Sequence, residues 1–482
     1  MGNVTAIGEI TNFVHGEAVE ATGTDVVVVR NPADGSELGR FRDSAAQDVD
    51  LAVRDARAAL PEWAAKTPGE RSALLRAVAD AMEERLDEFA RLEVLDAGKP
   101  WSESRGHEVP GMVDALRHFG SLARVAVSQP AGDYVAGNTA FLRREPVGVV
   151  AAITPWNFPL WQAIWKIGPA LAVGNTIVVK PAENTPLSTL AFVRMAAGIL
   201  PPGVLNLVNG TGGTTGRALV AHPDVKLVSF TGSTRAGRQI AEAAGAGTKR
   251  LVLELGGNAP VVVFEDTDIE VTAEWLAATA LYNAGQECMA ATRLIVHESV
   301  HDKLVEAVAG KMVSETVIGD PMDPSTTLGP LISQVQRDRV RRLVDGVPAR
   351  AEVVTGGSPV ERDGYFYPPT LITGVEQTDE IVQSEIFGPV ATVQSFTDEA
   401  QAIALANDVE QGLAGSVWTR DVGRALRVVN SLEVGNVWVN AHMASGVELP
   451  IGGFHGSGYG KEGGLAGLDE YARTKQVTIS LT

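Results

Sequence analysis

At 482 residues the chain exceeds one simple domain and predicts about three units, or two large ones with an appendage. Its 45% hydrophobic and 21% charged residues fit a soluble globular enzyme and exclude a disordered segment. The 40 Lys and Arg against 59 Asp and Glu leave a formal charge of −19, which repels nucleic acid and anionic membranes, so neither is expected as a partner.

In the N-terminal stretch MGNVTAIGEITNFVHG no basic segment precedes an apolar run. Ala6 stands where a myristoylation motif requires Ser or Thr, so no targeting signal is read and a cytoplasmic location is expected. The single cysteine permits no intrachain disulfide and fits a reducing compartment. Residues 48–96 carry helical periodicity, whereas Pro and Gly between Arg124 and Thr139 break any helix there. From Pro146 to Trp165 no residue is charged, which is about the length of a membrane span. Pro155, Asn157, Pro159 and Gln162 would break such a helix or strand polar groups in lipid, so a buried strand followed by a loop is expected instead.

From Val147 onward, short β-branched runs (VGVVAAI, NTIVVK, VLNLVN, KLVSFTG, RLVLEL) alternate with amphipathic ones. That alternation implies right-handed crossovers and a doubly wound parallel sheet, with ligands at the carboxyl ends of its strands. A second alternating set starts near Ala259 with PVVVFE and ends near VGNVWVN, giving a second α/β domain. The insertion around 124–139 and the C-terminal KQVTISL are expected to form edge strands that pair between subunits.

Cys288, in YNAGQECMAATR, falls between a helix and a strand. A lone cysteine more often packs as a small hydrophobe, but Gly285 and the polar residues before it mark a loop where a thiol can be reached. Glu254 ends a strand in LELGGN, ahead of two glycines that permit close approach; beside a nucleophilic thiol it becomes a candidate base for thioester hydrolysis. In TPWNFP, prolines frame Asn157, whose amide can serve a turn or be aimed at a developing oxyanion. The one match to G-x-G-x-x-G, at Gly458, Gly460 and Gly463, neither follows a strand nor opens an early crossover, and is read as a decoy. NGTGGTTG and FTGSTRAG do follow strands, the latter opening a helix at Ser233, and both offer backbone N–H groups to anions. In VVKPAEN, Lys180 and Glu183 end a strand; an acidic residue there can bind ribose hydroxyls and repel a 2′-phosphate, or form a surface charge pair.

Together TPWNFP, KPAENTP, FTGSTRAG, LELGGN, NAGQEC, EIFGP and SGYGKE resemble the aldehyde dehydrogenase superfamily over nearly the full length, in its order and spacing. The resemblance implies an α/β fold with a Rossmann-like cofactor domain (1–123 and 146–256), an α/β catalytic domain (257–456), and a β oligomerisation arm with the C-terminal segment (124–145 and 457–482). It implies Cys288 as nucleophile, Glu254 as general base, and Asn157 with the Cys288 N–H as oxyanion hole. For NAD it implies Ile153, Thr154, Pro155, Trp156, Lys180, Ala182 and Glu183, with Gly212, Phe230, Thr231, Gly232, Ser233, Leu255 and Gly256, and Glu385 and Phe387 at the nicotinamide ribose. A homo-oligomer, dimer or tetramer, is the family's habit, and no metal is expected.

Glu254 separates this chain from a CoA-acylating relative, and the presence of Cys288, Glu254 and Asn157 together opposes a catalytically silent binding protein. Glu287 departs from many relatives, which carry an apolar or small residue before the cysteine; a carboxylate there is expected to raise the thiol pKa and to face the substrate channel. Phe158, Trp161 and Trp165 share one helical face, and Tyr282 adds a fourth ring, with Glu108, Asp114, Glu287 and Glu448 as acidic partners. HEVPGMVD, Trp165 and Glu287 look most like the bacterial γ-aminobutyraldehyde dehydrogenases, near the betaine aldehyde enzymes, from which Phe158 and Ile451 depart. An ω-aminoaldehyde such as 4-aminobutanal is the expected substrate.

Overall fold

A computed structural model describes residues 9–125 and 130–481. The Ala6 reading of the N-terminus and residues 126–129 of the expected arm lie outside the described residues.

The strand Val149–Ile153 shows how the first sheet is built. All of its residues are buried, and they alternate between two cores, Val150 and Ala152 on one face and Val149, Ala151 and Ile153 on the other. A strand apolar on both faces needs helices on both sides, which is the parallel arrangement. Thr176–Lys180 and Val225–Gly232 flank it in parallel, and Leu205–Leu207 and Arg250–Leu255 pair outside them. The order of strands therefore reverses between Val149–Ile153 and Val225–Gly232. The carboxyl ends of those two strands open the crevice in which doubly wound sheets bind ligands.

The uncharged stretch 146–165 resolves into the end of one strand, the strand Val149–Ile153, a loop, and the start of helix Pro159–Val173. Among the described residues no helix is long and apolar enough to cross a membrane. Residues 48–96 form the helices Ala46–Ala65, Pro68–Glu83 and Leu86–Ala97. The sequence reading misses the strands Asn12–Val14, Glu17–Val19, Val26–Arg30 and Glu37–Arg42, the first two being too short to show a period.

The second sheet runs Glu352–Thr355, Thr370–Thr373, Val390–Phe396, Arg293–His297, Pro260–Val263, Ala414–Trp418, Asn436–Val439, antiparallel only at its first pair. Thr370–Thr373 is the strand not anticipated; it follows two prolines directly.

Within residues 457–482, Gly458–Tyr459 pairs antiparallel with Leu253 and Glu254 on the edge of the first sheet. The glycine that looked like a phosphate-loop decoy has a structural use here: a Cβ on Gly458 would lie 2.1 Å from the Leu253 carbonyl oxygen. Only Ala472–Ser480 joins the arm, pairing along its whole length with Asn138–Pro146, which Gly132–Val135 flanks on the other side. Insertion and C-terminal strand thus pair first with each other, within one chain.

Candidate active site

Helix Ile269–Leu281 runs into the turn Tyr282–Gly285, where Asn283, Ala284 and Gly285 take left-handed φ angles of 49°, 55° and 69° in succession. Two of the three have a Cβ, and each costs roughly 1 kcal/mol or more to hold there, so surrounding bonds must impose the shape. Asn283 Nδ2 donates to the Asn157 carbonyl (3.0 Å), Gln286 Nε2 to the Asn283 carbonyl (3.1 Å), and the Ile332 N–H to Gln286 Oε1 (2.8 Å). Beyond the cysteine, buried His442 links the Met289 carbonyl to Nε2 (2.7 Å) and the Ser416 hydroxyl to Nδ1 (2.9 Å). Burial pushes this imidazole down to about 4, so it is neutral and donates from Nε2. The loop so fixed leaves Cys288 partly exposed, facing the main cavity. Gly257 of the LGGN turn packs against it, since a Cβ there would lie 2.0 Å from the Cys288 carbonyl oxygen.

Asn157 Nδ2 donates to the Gln286 carbonyl at 2.9 Å, which fixes the amide and leaves its second hydrogen available. The Cys288 N–H has no protein acceptor among the described residues. Glu254 is buried at the end of Arg250–Leu255, and neither oxygen meets a donor at hydrogen-bonding geometry among the described residues. Burial, then the charge of Glu462, holds its carboxyl well above the usual range, while Lys166 pulls the other way. Lys166 is fully buried in helix Pro159–Val173 and donates to Glu462 Oε1 (2.5 Å), Thr231 Oγ1 (2.7 Å) and Gln162 Oε1 (2.9 Å). Glu287 Oε1 accepts from the Cys288 thiol and from the Met289 N–H, each at 3.2 Å. Burial raises the Glu287 carboxyl, and burial followed by the Glu254 and Glu287 charges holds the thiol well above its ordinary value. A reachable thiol between two buried carboxylates, under an amide donor, is an arrangement for covalent attack on a carbonyl.

Phe158, Trp161, Trp165, Tyr282, Glu287 and Glu448 line the same 840 Å³ cavity as Cys288. Two expectations about them change. Glu108 lines the cavity, but its oxygens are already engaged, Oε2 by Lys99 Nζ (2.7 Å) and Oε1 by the Tyr282 hydroxyl (3.0 Å). The Phe158 ring already carries a cation, Lys99 Nζ at 4.0 Å from its centroid, and Tyr282 stacks on it at 6.0 Å. The aromatic surface left for a ligand is the tilted pair Trp161 and Trp165, 6.1 Å apart, with exposed Asp114 and Glu448 among the lining residues.

Lys99 itself escapes the sequence reading. Fully buried, it binds Glu93 (3.2 Å) as well as Glu108, and Glu93 Oε1 accepts the Leu160 N–H (3.2 Å) at the start of helix Pro159–Val173. Burial works against its charge, but Glu108 and Glu93 outweigh it and hold the ammonium above its usual value. The neighbouring Glu103 is pushed up to about 8 by burial and then by Glu108. The signal that marks this network is Glu93, which falls on the buried stripe Phe89, Ala90, Val94, Ala97 of its helix. Lys166 gives the same signal in an otherwise apolar helix.

Of the residues expected to hold a dinucleotide, Pro155, Trp156, Thr231, Gly232 and Ser233 line the cavity from the switch point, with Leu255 and Gly256 beside them at the end of the neighbouring strand, and Glu385 and Phe387 line it as well. Glu385 Oε1 accepts the Gly257 N–H (2.9 Å), and burial pushes its carboxyl up to about 7. Ile153 and Phe230 do not reach the cavity; their side chains pack in the core beneath the sheet. Thr154, Lys180, Ala182, Glu183 and Gly212 also lie outside it, along or just past strand ends. Lys180 Nζ bonds the Pro181 carbonyl (2.7 Å) and stands 3.6 Å from Glu183. A dinucleotide fits this edge on three observations: Ser233 caps the helix Thr234–Gly245, and, among the described residues, the Thr154 hydroxyl is buried without a partner and nothing lies within 4 Å of a Cβ placed on Gly212 or Gly213.

The family model described as the aldehyde dehydrogenase family matches residues 18–477. The chain is 40% identical over 479 residues to betaine aldehyde dehydrogenase of Sinorhizobium fredii, covering 98% of this chain and 97% of that one. It is 39% identical to the NADP(+) succinate-semialdehyde dehydrogenase of Escherichia coli, covering 97% of each. Among solved structures, betaine aldehyde dehydrogenase from Staphylococcus aureus in complex with NAD+ superposes with a TM-score of 0.95 at 36% identity, over 98% of this chain and 95% of that one. Matched by the family model over residues 18–477 and by relatives along nearly its whole length, the chain belongs to the aldehyde dehydrogenase family.

Proposed function

We propose that this protein oxidises an aldehyde to its carboxylic acid with NAD, through a thioester on Cys288, and that the preferred aldehyde carries an amino group at its far end. The observation that carries the reaction is the meeting of Cys288, Asn157 and Glu254 in one cavity. The Cys288 sulfur attacks the carbonyl carbon, and the oxygen takes up the displaced electron pair between the Asn157 amide and the Cys288 N–H. NAD, when bound along Pro155–Trp156, Ser233 and the Glu385–Phe387 wall, supplies a hydride acceptor. Glu254, whose carboxyl burial and the Glu462 charge hold above its ordinary value, which makes it a stronger base, takes a proton from the water that attacks the thioester. The carbon–sulfur bond then breaks and the acid leaves. By this reading residues 1–123 and 146–256 bind the cofactor and 257–456 carry the chemistry. The enzyme acts in the cytoplasm as a homo-oligomer, dimer or tetramer, joined through the exposed outer edge of Ala472–Ser480.

For the substrate, the support is the lining itself. Asp114 and Glu448 face the cavity with the Trp161 and Trp165 rings, and its one arginine, Arg339, is engaged by the Glu385 and Ile386 carbonyls (2.5 Å each) among the described residues. Such a lining attracts an ammonium and gives a second carboxylate no partner. Two relatives act, by their names, on substrates of opposite charge, so relatedness alone does not choose. The betaine aldehyde relative supports a second reading, a quaternary ammonium aldehyde. Comparing kcat/KM for 4-aminobutanal, betaine aldehyde, butanal and succinic semialdehyde tests both: 4-aminobutanal should lead by tenfold or more over butanal, about the worth of one desolvated cation–π contact. A lead for betaine aldehyde selects the second reading, and a lead for butanal or succinic semialdehyde overturns both.

A further inference from the structure

Two carboxylates flank Cys288, but they meet it differently. Glu287 Oε1 takes a hydrogen bond from the thiol and is pinned by the Met289 N–H, whereas Glu254 lies beside the thiol with no bond at full hydrogen-bonding geometry holding either oxygen among the described residues. We propose that Glu287 is the base that takes the thiol proton, leaving Glu254 to activate water, so that the two halves of the reaction use separate carboxylates. The inference rests on the thioester reading.

In the first half, the proton passes from Cys288 Sγ to Glu287 Oε1 as the carbon–sulfur bond forms and the carbonyl electron pair moves onto oxygen; that pair then re-forms the carbonyl as the carbon's hydrogen departs as hydride, reducing NAD and leaving the thioester. In the second, water gives its proton to Glu254 as its oxygen attacks the thioester, the carbon–sulfur bond breaks, and the sulfur recovers its proton from Glu287. Glu254 sheds its proton to solvent, and the carboxylic acid, on leaving, ionises to release the second. A single shared base would have to lose the thiol proton before it could take one from water; two bases remove that wait.

The surroundings suit the role. Glu287 faces Cys288 within its own loop, Glu254 from Arg250–Leu255, Glu385 across the cavity, and Lys99, Glu108 and Tyr282 from the helical side. Lys99 is the one cation among them, and it is already shared by Glu93 and Glu108, so the carboxyl of Glu287 stays raised, the direction that makes a stronger base. Because one oxygen serves the thiol, Glu287 acts on every aldehyde alike, charged or neutral.

The test is the pH profile of Cys288 alkylation by iodoacetamide, without cofactor, in wild type, Glu287→Gln and Glu254→Gln. Wild type should show two rises, the lower from the Glu287 carboxyl and the upper from the thiol. Glu287→Gln should lose the lower rise and slow alkylation at pH 7 by roughly 10- to 100-fold, below the usual ceiling for a general base, while Glu254→Gln keeps it. In rapid mixing, Glu254→Gln should still yield one NADH per site and then stop. Glu287→Gln should slow that first turnover equally for 4-aminobutanal and butanal, with Glu287→Asp recovering part of it; unchanged NAD binding shows that each variant folds. A lower rise that persists in Glu287→Gln or vanishes in Glu254→Gln overturns the proposal, as does a defect confined to the amine substrate. Oxidation surviving Cys288→Ser would instead remove the thioester reading, whatever the alkylation profile.

Discussion

The two walls of the cavity are built by different means. The cofactor wall is mostly backbone at strand ends: the Ser233 cap, the open glycines Gly212 and Gly213, and the turn at Leu255 and Gly256. The substrate wall is made of side chains, and behind them a buried ionic network joins Glu93, Lys99 and Glu108 to Tyr282, Phe158 and the start of helix Pro159–Val173. A wall of backbone is fixed by topology and tolerates exchange of exposed side chains. A wall held by buried charge depends on every member, because removing one partner strands the others in low dielectric. Substitutions should therefore grow more damaging from the cofactor wall to the substrate wall, with Cys288 at the seam.

The largest effect is expected at that seam. Cys288→Ser keeps the shape of the loop, which His442, Gln286 and Asn283 hold, but replaces the thiol by a far weaker nucleophile. Turnover should fall by roughly 10⁴-fold or more, while NAD binding, measured by fluorescence quenching, stays intact. Residual turnover within tenfold of wild type would show that the chemistry does not pass through the sulfur.

Next comes the substrate wall. Lys99→Met leaves Glu93 and Glu108 buried and unpaired, at a cost of about 3–5 kcal/mol in unfolding measurements. The variant should also gain a pH dependence whose sign can be worked out. Burial already raises the Glu108 carboxyl, and losing Lys99 raises it further, so the folded state binds a proton more tightly than the unfolded state does. Stability is then lost as pH rises through the folded pKa, and the variant should be weaker at pH 8 than at pH 6. A change below 1 kcal/mol, flat with pH, would contradict the idea that buried charge holds this wall.

The same contrast governs what could be read from the sequence. Strand and helix alternation gave the first sheet, and TPWNFP, LELGGN and NAGQEC marked Asn157, Glu254 and Cys288, because strand ends and loops leave local signatures. Lys166, Glu462 and His442 left little, since Lys166 meets Glu462 and His442 meets Met289 only after folding, and Lys99 meets the nearby Glu93 and Glu108 across the end of helix Leu86–Ala97, where no helical period links them. For the same reason Glu108 and Phe158 were credited to the substrate although Lys99 occupies both. Ile153 and Phe230 were placed at the cofactor from their motifs, but strand alternation turns both side chains into the core.

The smallest expected effect lies on the cofactor wall. Glu183 is 41% exposed, 3.6 Å from Lys180 across a short turn after strand Thr176–Lys180. Only the Glu183 end of this pair meets solvent, since Lys180 is buried and also bonds the Pro181 carbonyl, so Glu183→Gln should lower stability by no more than about 1 kcal/mol in unfolding measurements. Its consequence is for selectivity. If the carboxylate accepts a ribose hydroxyl and repels a 2′-phosphate, the variant loses one charged hydrogen bond to NAD and the repulsion of NADP together. The first should lower kcat/KM for NAD by roughly threefold to tenfold, the range of one modest hydrogen bond. The second should raise kcat/KM for NADP by a similar factor, and more at low ionic strength than at 0.5 M salt, because a solvent-facing charge is screened within about 10 Å at 0.1 M. An unchanged ratio of NAD to NADP at both salt concentrations would leave Glu183 only as the solvent-side partner of buried Lys180, and cofactor choice would then have to come from the backbone of the wall itself.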